Sequence, residues 1–317
     1  MLRGVQWLVA AAALLAVLAA PSVLSRYYVN LLTEVAIYAI FAMTIDILAG
    51  YSGRTPLGHG AIFGIGAYFA AYTVAVAKGP AWAGVLLGIG AAAAVSLLFA
   101  LLAIRTSGVS FLLLTLAQGM VVWGICVRWT SVTGAENGIR GIARPEWVAD
   151  PVRFFYLTVA VAVLAAWALH RFVSSPFGLT LLGIRESESR MRTLGYNVPL
   201  HLVLGFVVSG TFAGIAGTLY AFFNTFVSPT NVALATSVKG LLMAIIGGVG
   251  TLFGAFAGAA VVILLENFVS MFTDRWPIVL GSIFVLTMIF AREGILGKAR
   301  LLLARETPHL TPKGDES

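Results

Sequence analysis

The chain has 317 residues, of which 60% are hydrophobic and 10% charged, whereas a soluble globular domain carries about 25% charged residues. This balance excludes a water-soluble fold, and runs such as LLGIGAAAAVSLLFALLAI, apolar on every face, exclude the alternating pattern of a transmembrane β-barrel. The net charge of +7 does not argue for nucleic acid, because Lys and Arg gather between the apolar runs, where they set orientation. The expected class is all-α: a polytopic helical membrane protein with about 8–10 transmembrane segments.

In chain order, ten apolar segments are candidates for crossing, near residues 5–24, 29–49, 58–78, 84–104, 108–127, 153–173, 203–224, 238–250, 251–270 and 276–292. The first carries Arg3, a long apolar run and the small residues Ala19 and Ala20, in the manner of a secretory signal. Pro21 disfavours cleavage, and the run from Val5 to Leu24 is long enough to span, so it reads as a retained helix. With both termini cytoplasmic, the inner side holds Arg3, Arg54, Arg105, Arg171, Arg185, Arg190, Arg192, Arg292, Lys298, Arg300, Arg305 and Lys313, twelve of the 20 basic residues. The positive-inside asymmetry is therefore modest. Two long hydrophilic segments result, about 128–152 outside and about 174–201 inside, with residues 293–317 as a cytoplasmic tail. Cys126, the single cysteine, lies in an apolar segment and leaves no intrachain disulfide and no Cys-based metal site.

Glu34, Asp46, Lys239 and Glu266 fall in or beside apolar runs, where an ionised side chain at mid-bilayer costs on the order of 3 kcal/mol. Glu34, Lys239 and Glu266 all lie toward the outer leaflet on this topology. Lys239 can thus pair with either glutamate, as a structural ion pair or as the polar lining of a cavity. A proton relay needs more carboxylates at depth, and only Asp46 qualifies.

Residues 50–72, GYSGRTPLGHGAIFGIGAYFAAY, support two readings. Gly50-Tyr51-Ser52-Gly53 has the GxSG form that holds the nucleophile of some intramembrane serine proteases, while the rest resembles a glycine-rich packing helix. Ser52 would need a histidine base. The candidates are His59, His170, His201 and His309, and none sits in the middle of an apolar helix, which disfavours the protease. Gly60 and Gly64, Gly84 and Gly88, Gly210 and Gly214, and the series Gly250, Gly254 and Gly258 are spaced four apart, so each set clears one helix face for a neighbouring backbone. Gly58, Gly247 and Gly248 belong to the same packing or gating set. Gly247, Gly248 and Gly250 interrupt the eighth segment where a crossing should continue, which predicts a broken or re-entrant helix.

Aligning 60–72 with 210–222 matches Gly60 to Gly210, Gly64 to Gly214, Ile65 to Ile215 and Ala71 to Ala221. This suggests two weakly related halves, about 29–127 and 153–292, with a substrate path between them. The chain has no HExxH, paired CxxC or GxxxxGK[ST] motif, so it holds no P-loop of its own.

The stretch SSPFGLTLLGIRESESRMRTLGYNVPLH (174–201) is the most informative. Pro176 and Gly178 break the incoming helix. Leu181, Leu182, Ile184, Met191 and Leu194 then give the apolar edge of one short amphipathic helix, which Gly195 ends before Pro199 opens the next span. A helix of this kind is a docking surface for a soluble partner or a helix lying among lipid headgroups. The candidate docking residues are Gly183, Ile184, Arg185, Glu186, Ser187, Glu188, Arg192, Leu194 and Gly195.

This segment resembles the cytoplasmic loop of LivM-type permease subunits of branched-chain amino acid ABC importers, through Phe177, Gly178, Ile184, Arg185, Glu186, Leu194, Gly195 and Asn197. Residues 50–68 are similar to the same family's GYxGxxSLGHxAFFGIGAY pattern, TGAENGIRGI (133–142) to its TGGxDGLxGI loop, and GGVGTLFGAFAGA (247–259) to its GGxGTLxGPxxGA run. Arg54-Thr55-Pro56, Ala255 and the set Arg190, Met191 and Arg192 depart from that pattern. The resemblance implies a single permease domain over 1–317 in the bacterial inner membrane, not itself an enzyme, with 174–201 coupling it to ATPases. It also implies a second related permease, two ATPase subunits that hold ATP and Mg, and a periplasmic or lipid-anchored binding protein. An ion- or proton-coupled secondary carrier is the alternative.

Overall fold

In the computed structural model, which describes residues 19–272 together with 278, 279, 281, 282 and 285, one long helix near the start packs against four others. That helix, α1 (Arg26–Asp46), buries most of its length and continues as a π-helical turn to Tyr51. Then come α2 (His59–Ala71, with a similar turn to Val76), α3 (Ala81–Ala103), α4 (Gly108–Arg128) and α5 (Pro151–Val173). Two short helices, α6 (Pro176–Glu186) and α7 (Glu188–Thr193), precede α8 (Val198–Asn224); α9 (Leu234–Gly247) and α10 (Gly254–Ser270) follow. Six of these are long and apolar enough to cross a membrane: α1, α2, α3, α4, α5 and α8. Most of the expected crossings near 276–292 and 5–24, and the tail 293–317, lie outside the described residues.

The eighth and ninth expected crossings form one hairpin. Helix α9 has 14 residues and spans about 21 Å at 1.5 Å per residue, short of a hydrocarbon core of about 30 Å. The chain reverses over 248–253, and α10 returns alongside α9, so the helix breaks where the glycine cluster predicts. The approach is close: a Cβ on Gly247 would overlap the Gly254 carbonyl, and one on Gly258 the Met243 carbonyl. Gly250 departs from the expected packing strip. It lies in the reversal with φ 82°, next to Gly248 at φ 113°, and no atom would crowd its Cβ closer than 3.7 Å. Its conformation, rather than its bareness, is what the turn uses.

Helix α2 is wedged between α3 and α8, and here the two aligned glycine segments meet. A Cβ on Gly66 would fall 2.7 Å from the Gly214 carbonyl, and Gly210 and Gly214 face Ser96 and Ala92 of α3. Gly64 instead admits Val232, from the segment that leads into α9. Much of α3 and α4 faces outward, exposing Leu86, Leu98, Leu101, Val109, Leu113 and Val121 in the manner of lipid-facing surface.

On the face away from α6 and α7, the 129–150 loop is pinned to the bundle. Strand β1 (Ile139–Arg140) pairs antiparallel with β2 (Phe226–Val227), in the register Ile139 to Val227. Arg144 donates to the carbonyls of Phe222 (2.7 Å) and Phe223 (2.6 Å) at the end of α8, with its guanidinium 4.5 Å from the Phe154 ring centroid. A cation at a helix C-terminus satisfies carbonyls that the helix leaves free.

Gly258→Ala is expected to lower stability by about 1–3 kcal/mol, because its methyl group has no space against Met243. Gly90→Ala, with nothing within 4 Å of the added carbon, is expected to be neutral. Thermal unfolding of the two detergent-solubilised variants checks the contrast.

Candidate functional site

The hairpin reversal creates a problem that one side chain solves. Amides in a turn have no intrahelical acceptor, and buried ones need another partner. Asp46, at the end of α1 and 1% exposed, accepts from the Gly250 amide at 2.6 Å with Oδ1 and from the Leu252 amide at 2.9 Å with Oδ2. Leu252 is itself held at φ 45°, a backbone region costly for a residue with a side chain. Both carboxylate oxygens are engaged, so the one carboxylate deep enough to be considered for a proton relay is a clamp on the hairpin tip.

One helical turn further, Gly50 lies directly against Gly250: a Cβ there would stand 2.5 Å from the Gly250 nitrogen. The Gly50 carbonyl accepts a hydrogen bond from Arg185 Nη1. The Arg185 stem runs over Gly53, whose φ of 70° and bare Cα leave room for it. The GYSG stretch is thus a seat for the Arg185 side chain. Ser52, the proposed nucleophile, donates to the Leu48 carbonyl at 2.7 Å. The nearest histidine in sequence, His59, bonds Ser209 at 2.7 Å, and Ser209 donates to the Thr44 carbonyl at 2.6 Å. Ser209's donor is therefore spent, so His59 carries its proton on Nε2 and joins α1, α2 and α8 at one buried node.

The 174–201 segment is two helices, not one. Ser187 breaks it, leaving the helical region and capping α7 by accepting from the Arg190 amide at 3.3 Å. Leu181 and Ile184 bury in a small cluster with Val198 and Leu202, joined by Tyr51, Ile104 and Met191. Gly183 admits the Met191 sulfur, folding α7 back on α6. Leu194, expected on the apolar edge, is instead 66% exposed, and Gly195 ends α7 with φ 87°. Glu186 and Arg190 also face outward.

Arg54, which the sequence shows as an inner-side charge and a departure from a pattern, ties this segment to the bundle. Its guanidinium donates to the carbonyls of Ile104 (3.1 Å) and Thr106 (2.5 Å) beyond α3, and pairs with Glu188 at 3.1 Å. Glu188 also takes Arg192 at 2.6 Å. The Arg192 hydrogen bond is the largest cause; against the upward push of burial, it and the charges of Arg54 and Arg192 hold the Glu188 carboxyl below the usual carboxylate range.

Nearer the opposite face, Lys239 of α9 pairs with Glu266 of α10 at 2.5 Å, with side chains 14% and 23% exposed. Of the two partners open to Lys239, the structure selects Glu266. Glu34 stands on α1 within electrostatic reach of both, one turn from Tyr38, whose ring centroid is 4.2 Å from the Lys239 ammonium.

Asp46 and Arg54 are what sequence reasoning passed over as working residues. The available signal was the pairing of a lone carboxylate in an apolar run with a glycine break that leaves amides bare.

Comparison with known proteins agrees with this architecture. Residues 27–291 match the family described as branched-chain amino acid transport system / permease component. The chain is 29% identical to the high-affinity branched-chain amino acid transport system permease protein LivM of Salmonella typhimurium, over 88% of this chain and 72% of that protein. It is 24% identical to LivH of Escherichia coli K12, a permease protein of the same named system, over 82% of this chain and 91% of that one. It is also 24% identical to the autoinducer 2 import system permease protein LsrC of Klebsiella pneumoniae, over 47% of this chain and 44% of that one. No solved structure matches it. A multi-pass helical membrane protein with this match over most of its length belongs to the family of branched-chain amino acid transport system permease components.

Proposed function

We propose that this chain is the permease subunit of an ATP-driven importer in the bacterial inner membrane, and that it moves branched-chain or closely related amino acids by alternating access. It works beside a second, related permease, two ATPase subunits that supply ATP and Mg on the cytoplasmic side, and a periplasmic or lipid-anchored binding protein. The supporting observation is the bonded path from surface to interior. The exposed α6–α7 segment reaches through Arg185 to Gly50, and Gly50 abuts the hairpin tip that Asp46 holds. A displacement of α6 by the ATPases pulls on Gly50 and is felt at the tip within one helical turn. The glycine contacts at α2–α8 and α9–α10 are the surfaces along which the helices slide. The cargo reading follows the names of LivM and LivH, while LsrC shows that a related permease serves a different import system.

Reconstitution of the permease pair, ATPases and binding protein in proteoliposomes tests this directly. Uptake of L-leucine is expected to require ATP hydrolysis. Uptake driven by an ion gradient without the ATPases would instead establish a secondary carrier.

Three further outcomes are expected. Leu194→Glu, on the exposed end of α7, should abolish stimulation of the ATPases by loaded binding protein while the permease remains folded, since exposed substitutions shift stability by only about 0.5 kcal/mol. Asp46→Asn should weaken the tip by about 1–3 kcal/mol, because its amide group offers one acceptor where two amides need partners. Uptake should fall with ATPase docking intact, measured by co-purification. The depressed Glu188 pKa means that the clamp with Arg54 and Arg192 contributes fully above the ordinary carboxylate pKa of about 4.3 and is lost as pH falls through the lower folded value. Thermal unfolding of the detergent-solubilised protein, followed against pH, should therefore show no loss from the clamp down to that range and a loss that Glu188→Gln abolishes beneath it.

A further inference from the structure

We propose that Ser52 is a positioning residue for coupling: its hydroxyl holds the last turn of α1 in the wider π register, and that register leaves the Gly50 carbonyl open to Arg185. The inference rests on the importer reading above, in which Arg185 carries the motion of α6 to Gly50, and adds the residue that keeps this contact available.

The first ground is the routing of hydrogen bonds. The Leu48 carbonyl accepts from the Ser52 hydroxyl at 2.7 Å and from the Arg54 amide at 2.9 Å, which fills both of its lone pairs. In an α-helix that carbonyl would receive the Ser52 amide. The amide goes instead to Ile47 at 3.2 Å, five residues back, and the turn from Ile47 to Tyr51 is π-helical. A hydroxyl bonded four residues back does not widen a helix by itself, since Thr33 and Thr158 make the same bond inside regular α-helix. Ser52 differs by its place. It stands just before Gly53, at φ 70°, where the helix ends and the Arg54 amide can take the second lone pair.

The second ground is what the α register would do at this end. A helix that stops at a left-handed glycine commonly closes with the glycine amide on the carbonyl three residues back and the next amide on the carbonyl five back. Those bonds would be Gly53 to Gly50 and Arg54 to Ala49. Arg54 reaches one residue further, to Leu48, and the Gly53 amide has no acceptor among the described residues. The Gly50 carbonyl, relieved of a main-chain donor, takes Arg185. Rewinding the turn to α returns the Gly53 amide to that carbonyl in competition with Arg185. It also carries Gly50 around the helix axis, away from its close approach to Gly250.

The third ground is space. A cavity beside the turn is lined by Leu48, Ser52 and Arg54 together with Ala100, Phe111 and Phe206. Protein interiors are otherwise close-packed, so this void gives the turn room to rewind against α3, α4 and α8. Ser52 is 4% exposed, and bulk water does not compete for its bond. The serine that suggested a nucleophile thus has a mechanical task, in a kind of turn that is rare and concentrates at functional sites.

Ser52→Ala, which removes the hydroxyl, and Ser52→Thr, which keeps one, test this in the complete transporter. Hydrogen exchange of the exposed Gly53 amide should be at least tenfold slower in Ser52→Ala than in wild type, because the amide gains the Gly50 carbonyl, and within twofold of wild type in Ser52→Thr. L-Leucine taken up per ATP hydrolysed should fall at least fivefold in Ser52→Ala and recover to within twofold in Ser52→Thr. A serine that merely steadies the helix end makes the opposite forecast at Gly53, and equal or faster exchange there in Ser52→Ala would overturn the register role. Uptake per ATP within twofold of wild type in Ser52→Ala, or no recovery in Ser52→Thr, would overturn the coupling role. Failure of the unmodified transporter to link uptake to ATP hydrolysis would overturn the importer reading instead, and the Gly53 comparison, which needs no cargo, would still decide the register.

Discussion

A carboxylate accepting two amides holds this structure together at its most demanding point. A glycine-rich reversal buried against α1 leaves peptide N–H groups without helical acceptors, and each unsatisfied buried group costs about as much as a lost hydrogen bond. Asp46 meets the Gly250 and Leu252 amides, but a carboxylate is itself costly in that setting unless its oxygens are engaged. Each liability is the other's remedy, so neither half is stable alone. The hairpin is thereby fixed to α1, and α1 is the helix against which α5, α8, α9 and α10 pack.

That arrangement explains why the surface segment is connected as it is. Arg185 reaches Gly50 only because Gly53 has a left-handed conformation and no side chain in the way. Arg54 binds the far side of the same segment to the end of α3 while pairing with Glu188. Two arginines therefore hold α6 and α7 against two different parts of the bundle, and both do so largely through carbonyls at or just beyond helix ends, where acceptors are left free. On the opposite face Arg144 performs the same task for α8. Between the two faces, the contacts of α2 with α8 and of α9 with α10 are backbone against backbone. Such surfaces let helices shift without repacking large side chains.

Much of this was legible in the sequence. The long helices fall close to the apolar runs, since a bilayer fixes length and composition together. The broken eighth segment followed from Gly247, Gly248 and Gly250, and the closeness of Lys239 to a glutamate followed from shared depth. What escaped was long-range pairing. Nothing local distinguishes Asp46, 204 residues before Gly250, from a carboxylate awaiting a proton, and Arg54 read as a loop charge although it spans to 104, 106 and 188. The 174–201 segment was expected as one helix because its apolar spacing continues past Ser187. The N-cap at Ser187 is a local competitor to helix continuation that periodicity does not register. Leu194 illustrates the same limit: hydrophobicity placed it on the buried edge, but the fold-back of α7 on Gly183 turns it outward.

The central claim is that motion of the surface segment is transmitted to the hairpin tip through Arg185, Gly50 and Asp46. Hydrogen exchange of the Gly250 and Leu252 amides, followed in the assembled transporter at rest and with ATP trapped in its ATPases, reads that transmission at the two bonds concerned. The account predicts slow exchange at rest and at least tenfold faster exchange of both amides in the trapped state, a change that is lost when Arg185 is replaced by Met. Equal protection of these amides in both states, in a transporter that still imports, would contradict it.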